Sequence, residues 1–424
     1  MRILYLSQYF PPEAGATQAR AYEMAVNLVR MGHEVTVICE VPNHPKGEIF
    51  PGFRGRWLVR RQEKGVRVRH VWVYTSRKKN FRTRMAFYLT YMLNAALVGL
   101  FTRGFDVVYA SSPPLFVGVA GRLIALLRRK SFVLELRDLW PEAAVQLGEL
   151  KEGSMALRLA RRLEHWCYRG AKKIVVVTRG FYDALAEYGG GVYAGRLRHI
   201  PNGSSTEHFR RLERAAPRPP ALEGKFVVIY AGIMGIAQGL HTVVECAEMM
   251  KGEGVVFLMV GEGPVKEELM EEVRRRGVRN VVFRDGVSRE EMPGVYGMAD
   301  ASVVPLRRLE LFTGTVPSKM FDSMACELPV LLNVDGEARR ILEESGGGIF
   351  VAPEDAVELA GAVRRLKERP AEAREMGRRG RAFVERNYSR TAQAEALAKE
   401  LEGLWRRGGG GGSSETQLRK KPGG

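Results

Sequence analysis

The run Gly314-Thr315-Val316-Pro317-Ser318-Lys319-Met320-Phe321-Asp322 brings together the groups needed to hold a phosphate ester. Pro317 stops whatever precedes it, and a helix is expected to begin near Ser318. Thr315, Val316 and Ser318 would then offer backbone donors beside a helix N-terminus, and Lys319 adds a full positive charge. Asp322 lies one helical turn beyond Lys319, near the same face, where a carboxylate suits bidentate hydrogen bonding to a ribose diol. An ordinary surface Lys–Asp pair is the competing explanation. The convergence of amides and ammonium favours a diphosphate clamp.

Four further turns each have two readings. Pro11-Pro12-Glu13-Ala14-Gly15-Ala16-Thr17 follows an apolar run and opens a helix, so the backbone at Gly15 and Ala16 can approach a phosphate or simply make a βα turn. Gly232-Ile233-Met234-Gly235-Ile236-Ala237-Gln238-Gly239 is glycine-rich where a pyrophosphate could make close contact, with Gly235 and Gln238 as candidate donor contacts. In Gly261-Glu262-Gly263-Pro264, Gly261 and Gly263 could admit a nucleoside or form a tight strand-to-helix turn. Arg137-Asp138-Leu139-Trp140-Pro141 sits just past a buried strand. Asp138 could bind an acceptor hydroxyl or take its proton, with Arg137 beside it, or Asp138 could cap the next helix and pair with Arg137.

Other chemistries lack their residues. The chain has no D-x-D pair, no H-E-x-x-H and no G-x-x-x-x-G-K-[ST], and the first βα turn has no G-x-G-x-x-G. Cys39, Cys167, Cys246 and Cys326 are widely spaced and form neither a zinc motif nor a disulfide framework, so a reducing cytoplasm is the simplest compartment. No cofactor or metal is expected. A net charge of +18 favours an anionic partner without choosing among phosphates, nucleic acid and lipid.

These turns need a scaffold, and the patterning supplies two. Apolar runs at 2–7, 34–39, 66–74, 107–110, 132–136 and 173–178 read as strands, mostly separated by helical patterns. Residues 200–224 carry Pro201, Pro217, Pro219 and Pro220 and read as a linker. The alternation restarts with strands at 226–230, 255–260, 280–283, 301–304, 329–332 and 348–351. Helices are expected between them at 242–251, 266–276, 289–298, 319–325 and 338–344. The expected fold class is α/β: two tandem Rossmann-like doubly wound domains facing each other across a cleft. The divisions are an acceptor-binding domain at 1–203, a linker at 204–224 and a nucleotide-sugar-binding domain at 225–385. A helix at 386–407 is expected to pack back towards the N-terminal domain, followed by a glycine-rich disordered tail at 408–424.

Six motifs in order resemble glycosyltransferase family 4, with the GT-B fold, and within it the fucosamine-transferase (WbuB-like) and colanic-acid (WcaI-like) branch. They are Leu6–Glu13, Arg137–Glu142, Ile200–Gly203, Gly235–Gly239, Gly261–Pro264 and Val316–Asp322. The resemblance implies a retaining, metal-independent transfer from a nucleotide-diphosphate sugar, such as a UDP-linked N-acetylated amino or deoxyamino sugar. The acceptor would be lipid-linked or a saccharide, in cell-surface polysaccharide synthesis such as O-antigen or capsule. Asp322 matches the second acid of the family's E-x7-E motif, while the first falls on Gly314. The arginine and lysine that many relatives carry in the first turn of the second domain fall near Ile233 and Gln238, which shifts phosphate neutralisation to Lys319. Asp138 stands where relatives often place an active-site histidine. A sugar-nucleotide epimerase of the same architecture and a non-enzymatic binder of anions are the alternatives.

One segment points to a surface. Residues 54–84 hold twelve arginines and lysines against Glu63 alone, and 85–101, MAFYLTYMLNAALVGLF, carry no charge. A spanning helix there would cut the first domain in two. A helix lying at an anionic membrane surface, through the Arg54–Phe101 region, places the protein at the inner face of the plasma membrane as a peripheral protein rather than on nucleic acid. A buried core helix with solvated charges is the other reading.

Overall fold

The computed structural model describes residues 1–407 except 14, 45, 46, 79, 139, 147–149 and 213–217. The tail expected at 408–424 and the middle of the expected linker lie outside the described residues.

Two sheets form. The first has eight strands: β1 (Arg2–Ser7), β2 (Glu34–Glu40), β3 (Leu58–Glu63), β4 (Val66–Val71), β5 (Val107–Ser112), β6 (Ser131–Leu136), β7 (Lys173–Val176) and β8 (Leu197–His199). Their order is β3-β4-β2-β1-β5-β6-β7-β8. All neighbours are parallel except β3 and β4, which pair antiparallel at the edge. The second has six parallel strands: β9 (Phe226–Ala231), β10 (Val255–Val260), β11 (Val281–Arg284), β12 (Ala301–Pro305), β13 (Val330–Asn333) and β14 (Gly348–Phe350), in the order β11-β10-β9-β12-β13-β14. Their apolar runs are continuous because helices cover both faces: β5 and β10 are buried at every residue. Chain order reverses at β1/β5 and at β9/β12, and the crevice beyond the carboxyl ends there is where such sheets bind ligands.

The long helical region at the C-terminus is two helices, Pro370–Asn387 and Arg390–Arg407. The second returns to the first domain: Ala394, Leu397, Ala398 and Leu401 join the core around Ile3, Tyr5 and Met24. Ion pairs Arg198–Glu400 and Lys173–Glu400 fasten it. At the other side of the crevice, Glu337 accepts hydrogen bonds from the backbone N–H groups of Arg179 (2.9 Å) and Gly180 (3.1 Å), so a carboxylate of one lobe caps a helix of the other.

The uncharged segment lies in helix Phe81–Leu100, and among the described residues no helix is long and apolar enough to cross a membrane. It is not the wholly buried core helix either. Tyr91, Ala95 and Val98 face the sheet, whereas Leu89, Leu93 and Leu97 recur every four residues on the solvent side, Leu93 being 62% exposed, and Phe101 ends the stripe 78% exposed. Three exposed aromatics are tied alongside: Asn94 accepts from Trp57 Nε1 (3.0 Å) and donates to the Trp72 carbonyl, and Thr90 accepts from the Tyr74 amide.

Candidate active site

Two glycine turns meet at the switch point of the second sheet. A Cβ on Gly261 would lie 1.9 Å from the Gly232 carbonyl oxygen, and one on Gly263 would lie 2.2 Å from that of Met234. The turns after β9 and β10 therefore interlock backbone on backbone, joined by Met234 N–H to the Glu262 carbonyl at 2.8 Å. Only glycine permits both this approach and the positive φ at Gly232 (141°) and Gly261 (147°).

Lys319 reaches this platform from the first turn of helix Ser318–Ala325. Its Nζ donates to the Tyr230 hydroxyl at 2.9 Å and stands 4.1 Å from the centre of that ring. The hydroxyl in turn donates a hydrogen bond to the Ile233 carbonyl (2.5 Å). Burial pulls the Lys319 ammonium down to about 7 and pushes the Tyr230 phenol up. The helix has no side-chain N-cap and no acid in its first turn, so the positive end of its dipole is uncompensated and the Lys319 ammonium adds to it. Gly232→Ala tests this arrangement, because the new Cβ would be strained and only 3.0 Å from Lys319 Nζ. We expect a cost of about 1–2 kcal/mol in stability and nucleotide affinity falling about tenfold as the lysine is displaced. Unchanged affinity in titration calorimetry would remove Lys319 from the site.

Several expected contacts are corrected. The Gly235 N–H does not face outward: Gln238 Oε1 accepts it at 3.1 Å, because a three-residue spacing lets that side chain close its own 3-10 turn. Gln238 thus holds the turn. The Thr315 N–H bonds the Phe312 carbonyl at 3.0 Å, closing the short 3-10 helix Glu310–Gly314, and is not spare. Gly261 also commits its N–H, to the Arg284 carbonyl, so its contribution is shape. Val316 and Ser318 remain beside the uncapped helix start.

Asp322 diverges from Lys319. Its Oδ1 accepts from Ser204 Oγ at 2.7 Å, so no Lys–Asp pair forms, and a ribose diol would meet Oδ2 or displace Ser204. Burial raises its pKa despite Ser204 and the guanidiniums of Arg289 and Arg390. Gly314 has open space where a side chain would project.

On the facing lobe, Gly15 is the N-cap of helix Ala16–Arg30, again without a side-chain cap or an acid in the first turn. Ala14 and Leu139 lie outside the described residues. Arg137 and Asp138 follow β6, partly exposed at the sheet's carboxyl edge. Below them is an ion pair that lies outside all six motifs: Glu135 accepts from Arg20 Nε (3.0 Å) and Nη2 (2.7 Å), both residues being buried. A glutamate inside the apolar run Phe132-Val133-Leu134-Glu135-Leu136 was the available signal, since a buried carboxylate needs a partner. Glu23 likewise pairs with Arg390 (2.7 Å) and Arg289, joining the lobes. Among the described residues no three His, Cys, Asp or Glu side chains group as metal ligands.

Comparison with known proteins agrees with this geometry. Residues 15–203 match the glycosyl transferase 4-like domain and residues 213–383 match glycosyl transferases group 1. The putative colanic acid biosynthesis glycosyl transferase WcaI of Escherichia coli K12 is 24% identical over 376 residues, covering 86% of this chain and 91% of that protein. The probable glycosyltransferase WbjE of Pseudomonas aeruginosa is 26% identical over 313 residues, 73% of this chain and 77% of its own. Among solved structures, sucrose-phosphate synthase of Thermosynechococcus elongatus superposes with a TM-score of 0.72 at 19% identity, over 96% of this chain and 99% of that one. Anabaena HepE in complex with UDP and glucose gives 0.68 at 16% identity, over 94% and 99%. With both lobes matched in order and the two sheets facing across the crevice, the chain belongs to glycosyltransferase family 4 and is a glycosyltransferase of the GT-B fold.

Proposed function

We propose that the protein carries out a retaining, metal-independent transfer from a nucleoside-diphosphate sugar, in the UDP class, to a lipid-linked or saccharide acceptor of cell-surface polysaccharide. The observation that carries this is Lys319, an ammonium in the first turn of an uncapped helix, held over Tyr230 at the switch point beside two interlocked glycine turns. The sugar C1–O bond to the β-phosphate breaks and negative charge gathers on the departing diphosphate. Lys319 and the amides at the start of the Ser318 helix stabilise that charge. The acceptor oxygen forms its bond to C1 on the same face, and its proton passes to the leaving phosphate oxygen. Asp138, at the edge of β6, orients the acceptor hydroxyl. The names of WcaI, a colanic acid enzyme, and of HepE with UDP and glucose support the substrate classes.

Incubating the purified chain with a panel of nucleotide sugars tests the reading. Slow release of nucleoside diphosphate, with EDTA present, is expected. Isomerised donor would instead make it an epimerase, and neither product would sink the assignment.

The acceptor is reached at an anionic membrane surface. The stripe Leu89, Leu93, Leu97 and Phe101 would enter the interface, with Trp57, Trp72 and Tyr74 at headgroup level. Arg69, Arg103 and Arg128, lining a cavity of about 560 Å³ with Leu100 and Phe101, would meet the phosphates. In flotation assays the chain should rise with phosphatidylglycerol vesicles and not with neutral ones. Leu93→Glu combined with Leu97→Glu should lower partitioning at least about tenfold. Equal flotation with both lipids would remove the surface from this account.

A further inference from the structure

Arg137, at the carboxyl edge of the first sheet, has buried donors that the fold leaves unused. It extends β6 by one residue on the face that Glu135 shares with Arg20. Its Nε and Nη1 are buried, and neither has a hydrogen-bond partner. Two guanidinium nitrogens kept from water without partners are costly, and burial pulls the Arg137 pKa down to about 10. Three neighbouring carboxylates are committed elsewhere. Glu135 is taken by Arg20 on Oε1 and by Ser111 on Oε2 (2.5 Å). Glu23 is paired with Arg390 and Arg289, and Asp322 with Ser204. Arg390, in electrostatic reach of both Arg137 and Asp322, donates to the Gly203 carbonyl and to Gln393. Among the described residues of this group, Arg137 is the arginine with buried donors that lack a hydrogen-bond partner.

Its place is informative. β6 runs beside β5, next to the β1/β5 switch point of the first sheet, and Asp322, which feels the Arg390 charge as Arg137 does, lies on the Lys319 helix. The second lobe's glycine turn offers exposed apolar side chains, Ile233 and Ile236, where a phosphate would need charge. A nucleoside diphosphate carries more negative charge than the one ammonium at Lys319 can balance.

We propose that Arg137 is a phosphate-binding residue contributed by the N-terminal lobe, whose buried Nε and Nη1 donate to an oxyanion that Lys319 leaves unneutralised. This rests on the transfer reading above. The oxyanion has two possible sources, the donor's diphosphate and a phosphate on a lipid-linked acceptor. A guanidinium presents two parallel donors to either.

The test uses the full chain as wild type, Arg137→Met and Arg137→Lys, with UDP, GDP, dTDP and farnesyl phosphate as probes in calorimetry, and a melting curve without ligand. Arg137→Met should shift the melting temperature by no more than a few degrees, because it removes two unsatisfied buried donors but also a charge that helps keep Glu135 ionised. It should also lose at least tenfold in affinity for a nucleoside diphosphate or for farnesyl phosphate. Whichever affinity falls identifies the source. Arg137→Lys keeps the charge but not the fork, so it should show a smaller loss; it carries the test if the methionine variant does not fold. A lower melting temperature with all affinities unchanged would make Arg137 structural and overturn the proposal alone. Failure of the wild type to bind any probe would overturn the transfer reading along with it.

Discussion

Lys319→Ala should lower the rate of sugar transfer by roughly 100–1,000-fold, the usual effect of removing one oriented donor from a developing oxyanion, with little change in folding. The pH profile makes the assignment specific. In the ligand-free protein burial holds this ammonium near 7, against 10.5 for an ordinary lysine. A diphosphate binds the charged form, so above pH 7 binding must take up a proton. The apparent affinity, and with it kcat/KM, should therefore fall about tenfold per pH unit from about 7 until the higher pKa of the complex is reached. The stability sign follows from the same shift. Between 10.5 and 7 the unfolded chain binds a proton that the native chain does not, so ligand-free stability declines as pH falls through that range and is flat below it. Lys319→Arg keeps the charge at every accessible pH and should flatten the alkaline limb while retaining part of the activity. Identical alkaline limbs for wild type and Lys319→Arg would show that another group titrates.

Much of the scaffold could be read from the chain because parallel strands buried on both faces write themselves as uninterrupted apolar runs. β1, β2, β10 and β12 are such runs, and their bounds follow the apolar pattern nearly residue for residue. Those of β3 do not. Only Leu58 and Val59 of LVRRQE are apolar, since an antiparallel edge strand with a solvated face needs no more, and its arginines read as part of a basic patch. The helix expected at 289–298 is only Met292–Tyr296, started by Pro293 in its first turn. At the site, Lys319 was legible from charge and position. Tyr230 was not, because a tyrosine in an apolar strand reads as core, and its role depends on a residue 89 positions away. The use of the Gly235 N–H by Gln238 was also hidden, since a glycine-rich turn shows where backbone can approach but not which amides the turn itself consumes.

The contacts that set the two lobes relative to each other were the least legible, because they join side chains distant in the chain through buried charge. Arg20 is the centre of one such set. It spends four N–H donors on Glu135 and on the carbonyls of Ile200 (3.1 Å) and Pro201 (2.8 Å), where the chain leaves the first domain. Next to it, Arg390 binds Glu23 and the Gly203 carbonyl. The exit of the first domain is thereby clamped by guanidiniums from the first helix and from the returning C-terminal helix.

Glu135→Ala should accordingly destabilise the protein by about 3–5 kcal/mol, because it strands the Arg20 charge in the interior. The pair is 1% and 0% exposed, so solvent screens little of this. Glu135 is held at about 2, against an ordinary 4.5, by the Arg20 and Arg137 charges and the Arg20 and Ser111 hydrogen bonds, which together outweigh its burial. That depression corresponds to roughly 3 kcal/mol. Its sign is that of a carboxylate favoured in the native state: the contribution is complete above 4.5 and is lost as pH falls through about 2. Removing both charges together, Arg20→Met with Glu135→Leu, should recover most of the loss, because a well-packed apolar pair no longer has a desolvated ion to satisfy. Urea unfolding of the intact chain measures all three variants, and a double variant no more stable than Glu135→Ala would show that the carbonyl contacts of Arg20, not its charge partner, hold the domain exit. Recovery of stability without recovery of transfer would place the clamp in the positioning of the lobes: the apolar pair can fill the space, but it cannot grip the carbonyls of Ile200 and Pro201, where the chain leaves the first domain.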